Sequence, residues 1–145
     1  GLRVEFSSAC TQRLHKSPIG LHEAVCHVSI PRLSHPGAST PQALSIGVSR
    51  LAKPGCWGLD LTSGDLFAAG AWVHRTGIRG QGFTSNVVRL SMRRLNRTLD
   101  FVMEKAQGGE AKLGSISAAF DQHDDLVFTV SGCSGTVYEV LQLDF

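Results

Sequence analysis

Six histidines, His15, His22, His27, His35, His74 and His123, are the residues of this 145-residue chain best suited to proton transfer or metal binding. None is spaced four residues from another, so no HExxH zinc site is formed and no metal centre is expected. His123 with Asp121, Asp124 and Asp125 forms a carboxylate-rich turn that could hold Ca²⁺. The alternating ligands and closing glutamate of an EF-hand loop are absent, however, and a solvated hairpin tip is the expectation. Gly77-x-x-Gly80-x-Gly82 looks like a phosphate loop with its spacing reversed, with no helix predicted after it to offer an N-terminus. Serine, histidine and aspartate are plentiful without a Gly-x-Ser-x-Gly elbow to expose a nucleophile. Cys10, Cys26, Cys56 and Cys133 lie 16, 30 and 77 positions apart, which fits neither a CxxC metal site nor a dense disulfide framework. Reduced thiols are expected, and with them an intracellular protein, cytoplasmic or nuclear. Asn96-Arg97-Thr98 is a glycosylation sequon that counts only in a secreted chain. No enzyme, no cofactor and no metal are therefore expected.

The elements around these residues are strands. Apolar residues alternate at Leu2-Val4-Phe6, Ala24 to Ile30, Leu44-Ile46-Val48, Trp57 to Leu61, Leu66 to Ala69, Val88-Leu90-Met92, Leu99-Phe101-Met103, Leu113 to Phe120, Leu126-Phe128-Val130 and Val137 to Leu143. Turn chemistry separates them at Pro36-Gly37, Pro54-Gly55, Ser63-Gly64, Gly108-Gly109, Asp124-Asp125 and Gly132 to Gly135. Regular short strands with frequent turns predict one all-β domain, an antiparallel β-sandwich. With 42% hydrophobic and 18% charged residues the chain has a globular composition, and no apolar run approaches the ~20 residues of a membrane span. Without an initial Met or a signal peptide, it is expected to be a single domain, residues 1–145, cut from a longer protein.

One hairpin is readable to the residue. Pairing Met92 with Leu99, Leu90 with Phe101 and Val88 with Met103 keeps the apolar side chains on one face, and leaves Arg94 to Arg97 as the loop. Ser91 then faces Asp100 and Val87 faces Glu104, with Arg89 and Arg93 diagonal to Asp100. Residues 1–98 hold 12 Lys and Arg against 4 acids, and residues 99–145 hold 2 against 8. Interleaved strands would bring the two halves together into surface ion pairs.

Trp57-Gly58, then Gly64 and Leu66-Phe67, followed by Asn86-Val87-Val88 and the Leu90-Met92 / Leu99-Phe101 hairpin, resemble the SPRY (B30.2) domain. Glu23 to Ile30 resembles that family's early strand, Ser45-Ile46-Gly47-Val48 its Ile-Gly-Val strand, and Ile116 to Val130 its closing pair. Arg89 and Arg93 stand where the family has Gly and Asp, Glu104-Lys105 replaces its Asn-Gly turn, and the early strand lacks its aromatic. The resemblance spans residues 2 to 145 and implies a concanavalin A-like jelly roll. It also implies a protein–protein interaction module, adaptor or scaffold, that grips a peptide or protein surface with its loops.

The loops that could build such a site are 13–19, 49–56, 71–82 and 131–135, since binding residues concentrate on loops held by a rigid scaffold. Arg50 and Lys53 flank Leu51; Trp72, His74, Arg75 and Arg79 lie in a long cationic, glycine-rich stretch; Ser131 and Cys133 lie in the last loop, where Ser131-Gly132 holds the place at which some SPRY domains carry Trp-Gly. Trp and Arg are the types most enriched at binding hot spots, and an acidic peptide is the expected partner. The alternative is an RNA-contacting subunit using Arg75, Arg79, Arg89, Arg93, Arg94 and Arg97, although only Trp72 lies near for base stacking. A third reading is a carbohydrate-binding jelly roll, which would want a calcium site or an exposed Trp flanked by polar residues. Trp57 is expected in the core.

Overall fold

The computed structural model describes residues 1–20, 22–34, 44–68, 71–118, 120–121 and 123–145. His35, Ala69 and the Pro36-Gly37 turn of the sequence reading lie outside them.

Alternation of apolar and polar residues does what it must in a two-layered protein: β3 (Glu23–Arg32), β8 (Val87–Arg93) and β9 (Thr98–Glu104) each bury every second side chain. The remaining strands are β1 (Leu2–Glu5), β2 (Cys10–Arg13), β4 (Ser45–Arg50), β5 (Cys56–Asp60), β6 (Asp65–Ala68), β7 (Ala71–Arg75), β10 (Glu110–Ser117), β11 (Leu126–Gly132) and β12 (Val137–Asp144). They form two six-stranded antiparallel sheets. Sheet A has the order β1-β12-β3-β8-β9-β10, and sheet B the order β2-β11-β4-β5-β6-β7. The only helix among the described residues is one 3₁₀ turn, Gly80–Phe83. The sandwich is filled by Trp57, Phe83, Phe101, Phe120, Phe128 and Tyr138, all fully buried, with the aliphatic residues of both inner faces. Trp57 is a core residue, as expected.

The β8–β9 hairpin has the predicted register, with Met92 opposite Leu99, Leu90 opposite Phe101 and Val88 opposite Met103. The ion pairs differ in detail. Arg89 passes over Asp100 to reach Glu104 and Glu110, both at 3.2 Å, while Asp100 accepts from Ser115 instead. Arg93 turns to Glu23. Cations of the first part of the chain do meet acids of the second, as at Arg3–Glu139 and Arg50–Asp124.

Two strands were not foreseen. β2 and β7 are edge strands whose residues are all exposed, so neither carries the inside–outside contrast that marks a half-buried strand. Residues 71–82 are therefore not one loop: 71–75 is strand, and the connecting loop starts at Thr76. Ser131 also belongs to a strand, in β11, and not to a loop.

Strand direction sorts the connections into two opposite ends. At one end lie residues 14–20, 51–55, 94–97, 120–121 and 123–125, bound together by Ile19 N–H donating to Leu126 O and Leu51 N–H donating to Asp125 O. At the other lie 61–64, 76–86, 105–109 and 133–136, where Gly80 N–H donates to Leu61 O and Thr76 N–H donates to Gly64 O.

Candidate functional site

Arg94 ties the first end together. Only 2% exposed, its guanidinium donates to the carbonyls of Ile19 (3.0 Å), Gly20 (3.0 Å) and Asp124 (2.8 Å). Burial lowers its pKa, against the opposing pull of Asp124 and Asp125. Arg50 has a similar duty. It donates to Asp124 at 2.9 Å and to Pro54 O at 3.2 Å, and its guanidinium carbon sits 5.1 Å from the Trp57 ring centroid, a cation–π cap on the core. Asp124 is not the tip of a solvated turn. Its carboxylate is 7% exposed and is held below the ordinary aspartate value, first by the backbone N–H of Asp121 and then by Arg50 and Lys53. Lys53 stands 3.9 Å from the same carboxylate. The cations of the 51–55 loop are thus matched by an internal acid.

The second end differs. Asp60 Oδ1 accepts from the N–H groups of Thr62 and Ser63, folding a tight turn into Gly64. Gly64 has φ +76°, and a Cβ there would sit 1.6 Å from Ile78 O, so only glycine lets segment 76–78 lie against the turn. Thr76 Oγ1 accepts from Ile78 N–H at 3.0 Å and closes that segment. The product is a concave pocket of about 390 Å³ lined by Ser63, Asp65, Arg75, Gly77 and Arg79. Among the described residues no carboxylate lies within ion-pair distance of Arg75 or Arg79, both exposed.

Trp72 extends this cluster along β7. Paired with Phe67, it lies on the outer face of sheet B, 49% exposed and edge-on to the Phe67 ring at 6.2 Å. Arg75 pairs with outward-facing Asp65 and shares that face, roughly 10 Å along the strand. His74 does not join them. It pairs with Leu66 of the core, and its ring lies so close to Gly114 of β10 that a Cβ there would be 2.6 Å from Cδ2.

Ser131 and Cys133 are elsewhere again. Ser131 Oγ bonds Thr11 Oγ1 at 2.8 Å, and its carbonyl accepts from the Tyr138 hydroxyl at 2.7 Å. Cys133 donates from Sγ to Ser34 O at 3.0 Å. Ser131 also lines a pocket of about 240 Å³ on the outer face of sheet B, together with Thr11, Ser45, Ser49, Thr129 and Cys56, over a floor at Gly47. This hydroxyl-lined hollow was missed in the sequence. Its signal is the alternation Ser45-x-Gly47-x-Ser49 and Thr129-x-Ser131 on outward strand positions. It offers hydrogen bonds and no ionisable group except the Cys56 thiol, which burial pushes above its ordinary pKa and away from the thiolate.

The eight residues read as one site are therefore divided among four places. Arg75, Arg79 and Trp72 remain together; Arg50 and Lys53 sit at the opposite end, a strand of roughly 20 Å away. The six arginines of the RNA reading are likewise dispersed, with Arg89 and Arg93 in ion pairs and Arg94 buried.

Two stacked six-stranded antiparallel sheets have a counterpart among solved structures. The SPRY domain of human HERC1 matches with a TM-score of 0.60 at 13% sequence identity, covering 93% of this chain and 83% of that one. The chain has the SPRY-domain fold. The catalytic domain of a glycoside hydrolase family 131 protein from Coprinopsis cinerea matches with a TM-score of 0.36 at 13% identity, over 83% of this chain and 57% of that one, too loosely to carry an argument. No protein-family model and no curated protein sequence matches the chain. On the SPRY fold, Trp57 and Gly58 lie in β5 with Gly58 against Gly47 of β4, where a Cβ on Gly58 would be 2.5 Å from Ile46 O. The Trp-Gly pair that prompted the resemblance is thus explained by packing: the indole fills the core and the glycine lets two strands close up.

Proposed function

We propose that this domain is a non-catalytic protein-interaction module, an adaptor or scaffold part of an intracellular protein, that captures an acidic segment of another protein at Trp72, Arg75 and Arg79. The observation that carries it is the pair of exposed arginines sharing one concave pocket without a carboxylate partner among the described residues, beside a half-exposed tryptophan. Four other arginines are neutralised internally, at Arg3–Glu139, Arg50–Asp124, Arg89–Glu104 and Arg93–Glu23. An acidic side chain entering the pocket gains charge-assisted hydrogen bonds from two guanidinium groups, and Trp72 supplies an apolar anchor. The contact is small, roughly 800 Å² or less per partner. Asp65 on the pocket wall sets a limit, repelling a ligand with carboxylates on every side.

Fluorescence polarisation with labelled acidic peptides and with single-stranded RNA, each at two salt concentrations, tests this. The expected result is peptide binding that falls about tenfold or more in an Arg75→Ala/Arg79→Ala variant. RNA binding with a steep salt dependence, in the absence of peptide binding, would replace this reading with the nucleic-acid one.

A further inference from the structure

Sheet B ends at β7, and among the described residues no strand pairs with its far edge. All five residues of β7 are exposed, and among the described residues its hydrogen-bonded neighbour is β6 alone. Thr76 N–H donates to Gly64 O at 3.1 Å, and pairs in an antiparallel ladder alternate between bonded and unbonded, so the adjacent Arg75–Asp65 pair leaves the Arg75 N–H and C=O turned away from β6. Proteins ordinarily blunt such an edge with charges. β1 does so with Arg3 and Glu5, where Arg3 pairs with both Glu5 and Glu139; β10 does so with Glu110, Lys112 and a register shift before Gly114. β7 instead presents Trp72 at 49% and Val73 at 50% exposure, with Val73 the extra residue where the pairing shifts between Leu66 and Phe67.

We infer that the acidic segment binds as an added seventh strand of sheet B, hydrogen-bonded to the free edge of β7. This rests on the capture reading above and assigns its geometry. An extended segment beside β7 places an acidic side chain on Arg75 and Arg79 and, two or four residues along on the same face, an apolar or aromatic one over Trp72 and Phe67. Charge selects this occupant over a second copy of the chain. Two β7 edges running antiparallel would bring the Trp72 and Arg75 of one copy near the Arg75 and Trp72 of the other, leaving both arginines without a carboxylate.

The probes are synthetic peptides of about ten residues that carry Glu and Phe in turn at the odd positions, on one face of an extended strand, with Thr at the even positions, in three forms: unmodified, N-methylated at odd positions, and N-methylated at even positions. The modification is placed on the peptide so that the fold of the domain is untouched. Successive amides of a strand face opposite sides, so one methylated series is expected to bind about tenfold or more weakly and the other like the parent. Amide exchange at Arg75 is expected to slow on binding. If both methylated series bind like the parent while Arg75→Ala/Arg79→Ala still abolishes binding, strand addition is wrong and acidic capture stands. If the arginine variant binds as wild type does, or if no peptide binds wild type, the capture reading itself falls. A dimer that forms with rising protein concentration and is broken by Val73→Lys would overturn the proposal in favour of self-pairing.

Discussion

Arg94 decides whether the chain at Ile19-Gly20 and at Asp124 is free to bind anything. Replacing it by Met keeps much of the side-chain volume and removes the donors that reach Ile19 O, Gly20 O and Asp124 O at 2.8–3.0 Å. Hydrogen bonds from a charged group are worth roughly 1.5–3 kcal/mol each, part of which the carbonyls regain from water and part of which was spent in desolvating the guanidinium. The expected net loss is about 3 kcal/mol, or a fall of about 6–12 °C in Tm for a domain of this size. Arg94→Lys keeps the charge but satisfies fewer carbonyls and should fall between. Urea unfolding followed by fluorescence of the buried Trp57 measures both, with an unchanged m-value showing that the folded state is as compact as before. Stability of Arg94→Met within about 0.5 kcal/mol of wild type would refute the reasoning. If that variant also lost RNA affinity with a shallower salt slope, the guanidinium would be a phosphate contact and not a structural tie.

Gly64→Ala combines a positive φ with a Cβ 1.6 Å from Ile78 O, so it should cost about 2–4 kcal/mol in urea unfolding and displace the segment that presents Arg79. Asp124 has a folded-state pKa lowered below its ordinary 3.8, so its contribution to stability is complete above pH 3.8 and disappears as the pH falls through the lowered value; Asp124→Asn should flatten that acid limb in pH-dependent thermal melts. Burial pushes the Cys26 thiol up to about 12, so at pH 8 an aromatic disulfide reagent should modify exposed Cys10 quickly and Cys26 only after denaturant is added. Trp72→Ala should leave thermal stability within about 1 kcal/mol while weakening acidic-peptide binding, because half of the ring already faces water.

What the sequence made legible follows from burial. The β8–β9 register was readable because a one-residue slip would have sent Leu90, Met92, Leu99 and Phe101 into water. Cys26 and Trp57 were readable as core for the same reason. The duties of Arg50, Arg94 and Asp124 were not, because an arginine bonded to carbonyls from distant segments looks, in a sequence, like any loop cation. Nothing within a few positions of Arg94 announces that Ile19, Gly20 and Asp124 will converge on it.

The site was partly legible for a topological reason. In an antiparallel sandwich each strand carries the chain from one end to the other, so the end a loop occupies depends on how many strands precede it. β7 has no buried face to betray it, and missing it joined 71–82 into one loop, when five of those residues cross the full height of the sheet. Trp72 then becomes a residue on the sheet face, and Arg75 and Arg79 move to the end opposite Arg50 and Lys53. A site inferred from loop composition survives only where no hidden strand intervenes, which is why the Arg75–Arg79 pair, separated by the short segment closed by Thr76, held together while the eight-residue set did not. The same exposure that hid β7 from a hydrophobic pattern leaves its edge able to take another strand, so the feature least visible in the sequence is the one on which the binding proposal depends.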